Sequence, residues 1–163
     1  MPRYFNTTGP CDPAEHYTLP AEARLPDLGA YIEREQYFVV HAPRQTGKTT
    51  AMRSLAASLR DRGLAACWAT LEESQGIDDP ERAEPLWLQS IFDGGQEGLA
   101  HRAAPPPGAA MEAPPGGRLR AYLRGWAASL DVPLVLLLDE ADVVGGEALV
   151  SLLRQLRAGF MDR

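Results

Sequence analysis

The sequence predicts a three-layer α/β fold, in which helices cover both faces of a mostly parallel sheet. Apolar, strand-like runs alternate with amphipathic helical segments along the chain, as they do in strand–helix–strand units. One run, Leu134 to Leu138, is apolar at every position, which is typical of a strand buried on both faces in the centre of a parallel sheet. The chain has 163 residues, about the length of one domain, and 45% of them are apolar.

The first quarter of the chain predicts an arm, a helix and a strand. Residues 1–26 are rich in Pro, Gly and Thr and predict an irregular N-terminal arm. Pro26 and Asp27 mark the start of a helix, so we place the folded core at residues 27–163. The run from Tyr37 to His41 is apolar and β-prone and predicts the first strand.

A short turn joins this predicted strand to an amphipathic helix. Its sequence is Ala42-Pro43-Arg44-Gln45-Thr46-Gly47-Lys48-Thr49-Thr50. Strand, turn and helix in this order are the context of a phosphate-binding loop, where backbone N–H groups and the positive end of a helix face phosphate oxygens. Gly47 lets the backbone approach the ligand, Lys48 reaches the β- and γ-phosphates, and the Thr49 hydroxyl binds Mg²⁺. We therefore predict that residues 42–50 bind ATP with Mg²⁺; the alternative is a turn with a solvated lysine.

Two features of this loop qualify and support the assignment. The general pattern is G-x-x-x-x-G-K-[ST], and Ala42 stands at the position of its first Gly. Because Ala adopts positive φ less readily than Gly, the backbone at the start of the loop must differ from the commonest form. Lys48 is the only lysine among 16 basic residues. A compact ammonium fits between two phosphates inside a tight loop, where a planar guanidinium does not.

The next segment predicts a helix and a second strand. Apolar residues recur at helical spacing from Met52 to Leu59, and Gly63 is expected to end that helix. Leu64 to Leu71 predicts a strand that returns beside the first through a right-handed crossover. Glu72 follows it, either as a residue that senses the γ-phosphate or as a solvated loop charge.

Less regular sequence follows. Residues 78–101 predict a helix interrupted at Gly94-Gly95, and residues 103–117 predict a disordered insertion because they are rich in Pro and Gly. A second amphipathic helix has Leu119, Trp126 and Leu130 on one face.

The apolar run at residues 134–138 ends in two acids, Asp139 and Glu140. A carboxylate at the carboxyl end of a parallel strand lies on the edge of the sheet where ligands bind. We predict that Asp139 holds Mg²⁺ through a water and that Glu140 activates the water that attacks the γ-phosphate, with Lys48 as the catalytic cation. The alternative is a buried strand that runs into an acidic turn. Asp142 is interpreted as a turn residue. A helix over 147–158 follows, with Leu149, Leu152, Leu153, Leu156 and Phe160 inward and Gly159 at its end.

Charge and cysteine content exclude several classes of protein. A net charge of −6 gives no clear nucleic-acid footprint, which would require a basic face. The cysteines, Cys11 and Cys67, fit no metal spacing and predict free thiols in a reducing compartment. The longest apolar run is too short to span a bilayer, so we expect no membrane association and a cytoplasmic location.

With these motifs, the chain from Tyr4 to Phe160 resembles the N-terminal part of a bacterial AAA-like, STAND-type P-loop ATPase family. Three stretches carry the resemblance: the arm with Arg3-Tyr4-Phe5-Asn6 and His16-Tyr17-Thr18-Leu19-Pro20, the loop His41 to Thr50, and Leu136 to Asp142 followed by a Leu-rich helix. The resemblance implies a P-loop NTPase fold in which Ala42 is an accepted variant. Related ATPases continue with a sensor strand between the loop strand and the acidic strand, so we expect a truncated core that binds nucleotide weakly.

The family resemblance implies ATP binding and hydrolysis that drive a conformational switch, with an unknown protein partner or a missing C-terminal effector region, and with a nucleotide-dependent oligomer as one form. The alternative is a signalling or scaffold switch that binds ATP with negligible turnover. The arm is either a flexible terminus or a segment over the nucleotide base. A GTPase is disfavoured because Asn6 and Lys48, the only Asn and Lys, form no Asn-Lys-x-Asp segment. A small-molecule kinase is disfavoured because no arginine-rich lid is present.

Overall fold

The computed structural model describes residues 2–7, 9, 11–12, 14–19, 23, 25–43, 45–99, 103–106 and 113–161. Arg44 and the central part of the predicted insertion, residues 107–112, lie outside the described residues, as does the side chain of Phe160. The helices and strands in chain order are α1 (Leu28–Glu33), α2 (Lys48–Asp61), β1 (Ala65–Thr70), α3 (Pro80–Gly98), α4 (Arg118–Ala128), β2 (Leu134–Asp139) and α5 (Gly146–Met161). Single 3₁₀ turns follow each strand, at Glu72–Ser74 and Ala141–Val143.

The sheet that the structure describes has two parallel strands. β1 pairs with β2 in a register that runs from Ala65 opposite Leu134 to Thr70 opposite Asp139. An α/β fold with parallel pairing is therefore confirmed, and both strands lie where the sequence predicts them. Because the strands are parallel and in register, their carboxyl ends, at Thr70 and Asp139, lie side by side.

Helices cover both faces of this sheet. α2 packs on one face, in a core that contains Leu55, Leu59, Ala66 and Leu137. The other face is covered by α3, α4 and α5, whose core includes Cys67, Ala69, Trp87, Ile91, Leu119, Trp126 and Leu152. Alternate residues of β1 thus enter opposite cores, as the two-residue period of a strand requires.

The predicted first strand is wrong as an assignment of secondary structure. In the described part of the chain no strand is assigned at residues 37–41, and β1 lies beside β2 rather than beside this segment. A strand is defined by the neighbour to which its backbone is hydrogen-bonded, and an apolar sequence alone does not supply one. The side chains still alternate as in a strand: Phe38 and Val40 pack against the α2 core, whereas Val39 is 92% exposed.

The predicted break at Gly94-Gly95 is also wrong, because α3 continues through both residues to Gly98. The reason is close packing. A Cβ atom at Gly94 would overlap the backbone carbonyl of Trp68, and one at Gly95 would meet the ring of Pro105 at 2.6 Å. The two glycines therefore let α3 approach β1 and the segment 103–106, which outweighs the lower helix propensity of glycine.

Helix ends agree with the sequence in one place and differ in another. Gly63, with a φ of 88°, follows the end of α2 as predicted. Gly159 does not end α5, which continues to Met161, and Leu153 is 56% exposed instead of facing inward. β2 is also less enclosed than a central strand: Leu137 is buried, but Leu134, Val135, Leu136 and Leu138 are only half-buried.

None of the described helices combines the length and the apolar character needed to cross a bilayer.

Candidate functional site

The loop before α2 contains a backbone conformation that glycine adopts readily. Gly47, the N-cap of α2, has a φ of 80°, in the left-handed region that glycine adopts without strain. Gln45 also has a positive φ, 62°, which is uncommon for a residue with a side chain. The Thr46 hydroxyl donates to the carbonyl oxygen of Pro43 at 2.8 Å. Left-handed residues and an internal hydrogen bond together turn the chain sharply into the helix.

Lys48 is the first residue of α2, and its side chain turns back onto the loop. Its ammonium nitrogen donates to the carbonyl oxygen of Ala42 at 2.8 Å. An ammonium has three N–H donors, so two remain for a ligand. This carbonyl at position 42 therefore orients the lysine across the loop, a role that Ala fulfils as well as Gly because it uses only the backbone.

The N-terminus of α2 carries no negative charge of its own. Gly47 has no side chain to cap the helix, and the first turn contains no acidic residue. The partial positive charge of the helix dipole is therefore not offset by a neighbouring carboxylate in that turn. Lys48 adds a full positive charge at the same place, so this end of the helix favours an anion.

Asp139, at the carboxyl end of β2, is a buried carboxylate with one oxygen unpaired. The residue is 6% exposed, and its Oδ1 accepts the backbone N–H of Glu140 at 3.0 Å. Its Oδ2 is buried and has no hydrogen-bond partner among the described residues. An unpaired buried polar atom costs about 1–3 kcal/mol, and more when it is charged, so this oxygen indicates a place for a cation.

Glu140 is held in a strained backbone conformation next to Asp139. It has a φ of 55° and a ψ of 34°, in the left-handed region, and its carbonyl oxygen accepts the N–H of Val143 at 3.2 Å. Residues with side chains adopt this region at a cost of about 1–3 kcal/mol when the surrounding structure holds them there, often at functional sites. The turn directs the chain away from β2 immediately after the buried carboxylate.

Thr49 of the loop and the two acids of β2 line one cavity of about 310 Å³. The remaining lining residues are Arg53, Trp68, Thr70 and Glu72. Residues that are far apart in the sequence are thus brought together where α2 begins and where β1 and β2 end. Lys48 does not line this cavity, because its ammonium is directed to Ala42.

The donor set fits Mg²⁺ bound together with a phosphate. Within the described part of the chain, no group of three or more His, Cys, Asp or Glu residues could hold a metal ion by itself. Mg²⁺ usually takes only one or two protein ligands and completes its octahedron with water and substrate phosphate oxygens. Thr49 and Asp139 both line the cavity, so the Thr49 hydroxyl and the Asp139 carboxylate would supply two such ligands.

The N-terminal arm is attached to the same helix end. The backbone N–H of Cys11 donates to the Thr50 hydroxyl at 3.1 Å. The arm is also folded on itself: Tyr4 and His16 form a parallel bridge, and their rings meet edge to face at 4.7 Å. The aromatic ring of Phe5, 79% exposed, lies 5.0 Å from that of Tyr17. The described arm therefore contacts the start of α2 through Cys11 and carries two exposed aromatic rings.

Of the residues that line the cavity, sequence reasoning singled out Thr49, Glu72, Asp139 and Glu140 but not Arg53, Trp68 or Thr70. A usable signal was available, because Arg53 follows Thr49 by four residues and must share its face of the helix. Trp68 was assigned only to the second strand, although it precedes Thr70 by two residues and so lies on the face of the sheet that bears the cavity.

Comparisons of the chain with protein-family models, with curated proteins and with solved structures found no match.

Proposed function

We propose that the chain is a Mg·ATP-binding module of the AAA-like, STAND type that hydrolyses ATP and uses the reaction to drive a conformational switch. The observation that carries the proposal is the cavity shared by Thr49, Asp139 and Glu140. It combines a hydroxyl at the start of a helix after a Gly-Lys turn, a buried carboxylate with a free oxygen and a second carboxylate beside it. Few other reactions need these three groups together.

Each residue has a defined role in this proposal. The N-terminus of α2 and the two free N–H donors of Lys48 bind the β- and γ-phosphates. Thr49 and Asp139 hold Mg²⁺, which neutralises charge on the phosphate oxygens when it is bound. Glu140 orients a water and takes its proton as that water attacks the γ-phosphorus.

The proposal includes a P-loop arrangement of the three layers and a cytoplasmic location. It is supported by the parallel sheet with helices on both faces, by α2 directly after the loop and by the half-buried edge of β2. Residues 37–41 form no strand in the structure, but they lead directly into the loop, and Phe38 and Val40 pack against the α2 core.

The purified chain provides the test. Binding of a fluorescent ATP analogue with and without Mg²⁺, at concentrations up to millimolar, gives the affinity, and phosphate release gives the turnover. We expect Mg²⁺-dependent binding. We expect Glu140→Gln to keep that binding and to lower phosphate release by roughly 10²- to 10⁴-fold, the usual contribution of a general base.

Two outcomes would contradict different parts of the proposal, nucleotide binding and hydrolysis. Absence of binding at millimolar ATP with Mg²⁺, by a chain whose circular dichroism shows it to be folded, would overturn the proposed function. Equal phosphate release by the wild type and by Glu140→Gln would remove the hydrolytic role and support a switch that binds ATP without turnover. Asp142→Asn is the matched control, because Asp142 is exposed and is not among the residues that line the cavity.

A further inference from the structure

The cavity contains one cationic side chain, that of Arg53, to which the proposed function gives no role. Arg53 lies in the second turn of α2, on the same face as Thr49. Long side chains of a helix lean towards its N-terminus, so an arginine at this position is directed to the end of α2 where the phosphates are proposed to bind.

Arg53 is held by an aromatic ring rather than by an acid. Its guanidinium carbon lies 4.0 Å from the ring centroid of Trp68, a cation–π distance, and it forms no ion pair with another described residue. Stacking uses the flat face of a guanidinium. The N–H groups around its edge stay available, and their fork matches the oxygens of a phosphate.

The charges that line the cavity favour such a cation when a phosphate is bound. Glu72, Asp139 and Glu140 contribute three carboxylates, and Arg53 is the only Lys or Arg among the residues that line it. A terminal phosphate beside these carboxylates would be repelled. One Mg²⁺ and one guanidinium together offset that repulsion, whereas a nucleoside diphosphate places less charge there.

The indole of Trp68 differs from the indoles of the other two tryptophans, which are held by hydrogen bonds. Trp87 donates its Nε1 hydrogen to the Ser74 hydroxyl at 3.0 Å, and Trp126 donates to the carbonyl oxygen of Ala103 at 3.1 Å. The Nε1 of Trp68 is buried and has no acceptor among the described residues. The position of this ring therefore depends on packing and on the stacked guanidinium rather than on a hydrogen bond of its indole.

We propose that Arg53, stacked on Trp68, binds the γ-phosphate and makes the site prefer a nucleoside triphosphate over a diphosphate. The inference rests on the proposed function and deepens it. It adds a second cation to the site, carried by the same helix as Lys48 and stacked on Trp68 at the cavity. Loss of the γ-phosphate after hydrolysis releases Arg53, and Trp68 reports that change.

Nucleotide affinities test the inference. They are measured with Mg²⁺ for ADP and for a non-hydrolysable ATP analogue, in the wild type, Arg53→Met and Arg53→Lys. We expect Arg53→Met to weaken the affinity for the triphosphate analogue by about 10- to 100-fold, because charge-assisted hydrogen bonds are lost. The affinity for ADP should not change. Arg53→Lys should restore part of the loss, because it keeps the charge without the fork. Arg62→Met is the matched control, an exposed arginine at the far end of α2.

Tryptophan fluorescence gives a second readout that a merely structural role would not move. The triphosphate analogue should change the emission of the wild type, ADP should change it less, and Trp68→Phe should remove the difference. Thermal unfolding of each variant shows that it is folded, which is expected because Arg53 is exposed.

The results separate this inference from the function beneath it. A wild type that binds neither nucleotide contradicts the proposed function. A wild type that binds both, with Arg53→Met weakening both equally or weakening neither, overturns the role of Arg53 and leaves the proposed function standing.

Discussion

The ammonium nitrogen of Lys48 lies 2.8 Å from the carbonyl oxygen of Ala42, so the only lysine of the chain spans the loop that precedes its own helix. The hydrogen bond joins the first residue of α2 to the first residue of the loop. It fixes the direction of the side chain before any ligand binds, which reduces the entropy lost on binding. The contact needs a backbone carbonyl and no particular side chain, so Ala at position 42 makes it as well as Gly would.

This relationship predicts that arginine cannot replace Lys48. Lys48→Met should weaken ATP binding by roughly 10- to 100-fold, because the charge-assisted hydrogen bonds to phosphate are lost. Lys48→Arg should give a similar loss, since a planar guanidinium cannot donate to Ala42 and to two phosphates from inside the loop. Titration with a fluorescent ATP analogue measures both. Arg157→Met, at an exposed arginine of α5, is the control, and wild-type affinity in Lys48→Arg would contradict the prediction.

The unpaired Oδ2 of Asp139 predicts a conflict between stability and metal binding. In Asp139→Asn, the amide oxygen can still accept the N–H of Glu140, and a neutral amide replaces a buried charge. We expect the free energy of unfolding without nucleotide to rise by about 1 kcal/mol, and the Mg²⁺ dependence of ATP binding to disappear.

Urea unfolding measures the change in stability, and ATP titrations at several Mg²⁺ concentrations measure the Mg²⁺ dependence of binding. Glu140→Gln is the comparison, because Glu140 is only half-buried and should show no such gain in stability. A less stable Asp139→Asn that keeps its Mg²⁺ dependence would show that the carboxylate has a structural role only.

How much of this structure the sequence could predict depended on whether the signal was local. The strand at residues 134–139 and the turn into α2 follow from short-range patterns, and both lie where predicted. Gly94 misled because its effect is tertiary: its missing side chain lets α3 contact the backbone of Trp68. Arg53 could not be assigned a partner from sequence, because Trp68 belongs to β1 and meets Arg53 only when α2 packs on the sheet.

Cys67 predicts a loss of stability at alkaline pH. Its side chain is fully buried, and burial raises the pKa of the thiol from 9.0 to about 12, against a smaller lowering by the charge of Arg60. The folded state therefore keeps this proton at pH values where the unfolded chain has lost it. The stabilising effect is complete below pH 9 and is lost as the pH rises towards 12, by at most about 1.4 kcal/mol per pH unit for this one group.

Urea unfolding at several pH values between 8 and 11, on the scale set by these pKa values, measures that decline. Burial, and the neighbouring negative charges of Cys67 and Asp93, also raise the pKa of Tyr122 to about 12. Tyr122 therefore contributes to the loss of stability only above about pH 10. In Cys67→Ala the decline should therefore start about one unit later, whereas Cys11→Ala should match the wild type. A decline that starts at the same pH in Cys67→Ala would assign it to other groups.

Glu84 is a fully buried carboxylate that joins three helices, and its removal should cost more stability than any change at the candidate site. Its Oε1 accepts the side-chain amide of Gln155 on α5 at 2.6 Å, and its Oε2 accepts the backbone N–H of Gly116, just before α4, at 2.9 Å. Both donors are left without this acceptor in Glu84→Leu, which has a similar size. We expect a loss of about 3 kcal/mol in the free energy of unfolding.

Urea unfolding compares Glu84→Leu with Gln89→Ala, a control at an exposed residue of the same helix whose amide donates only to Asp93. The control should change stability by less than about 0.5 kcal/mol, as surface substitutions usually do. Gln155→Leu combined with Glu84→Leu should lose less than the sum of the two single changes, because each single change leaves one partner buried and unpaired. Additive losses would mean that the two side chains contribute independently and that the hydrogen bond at 2.6 Å does not couple α3 to α5.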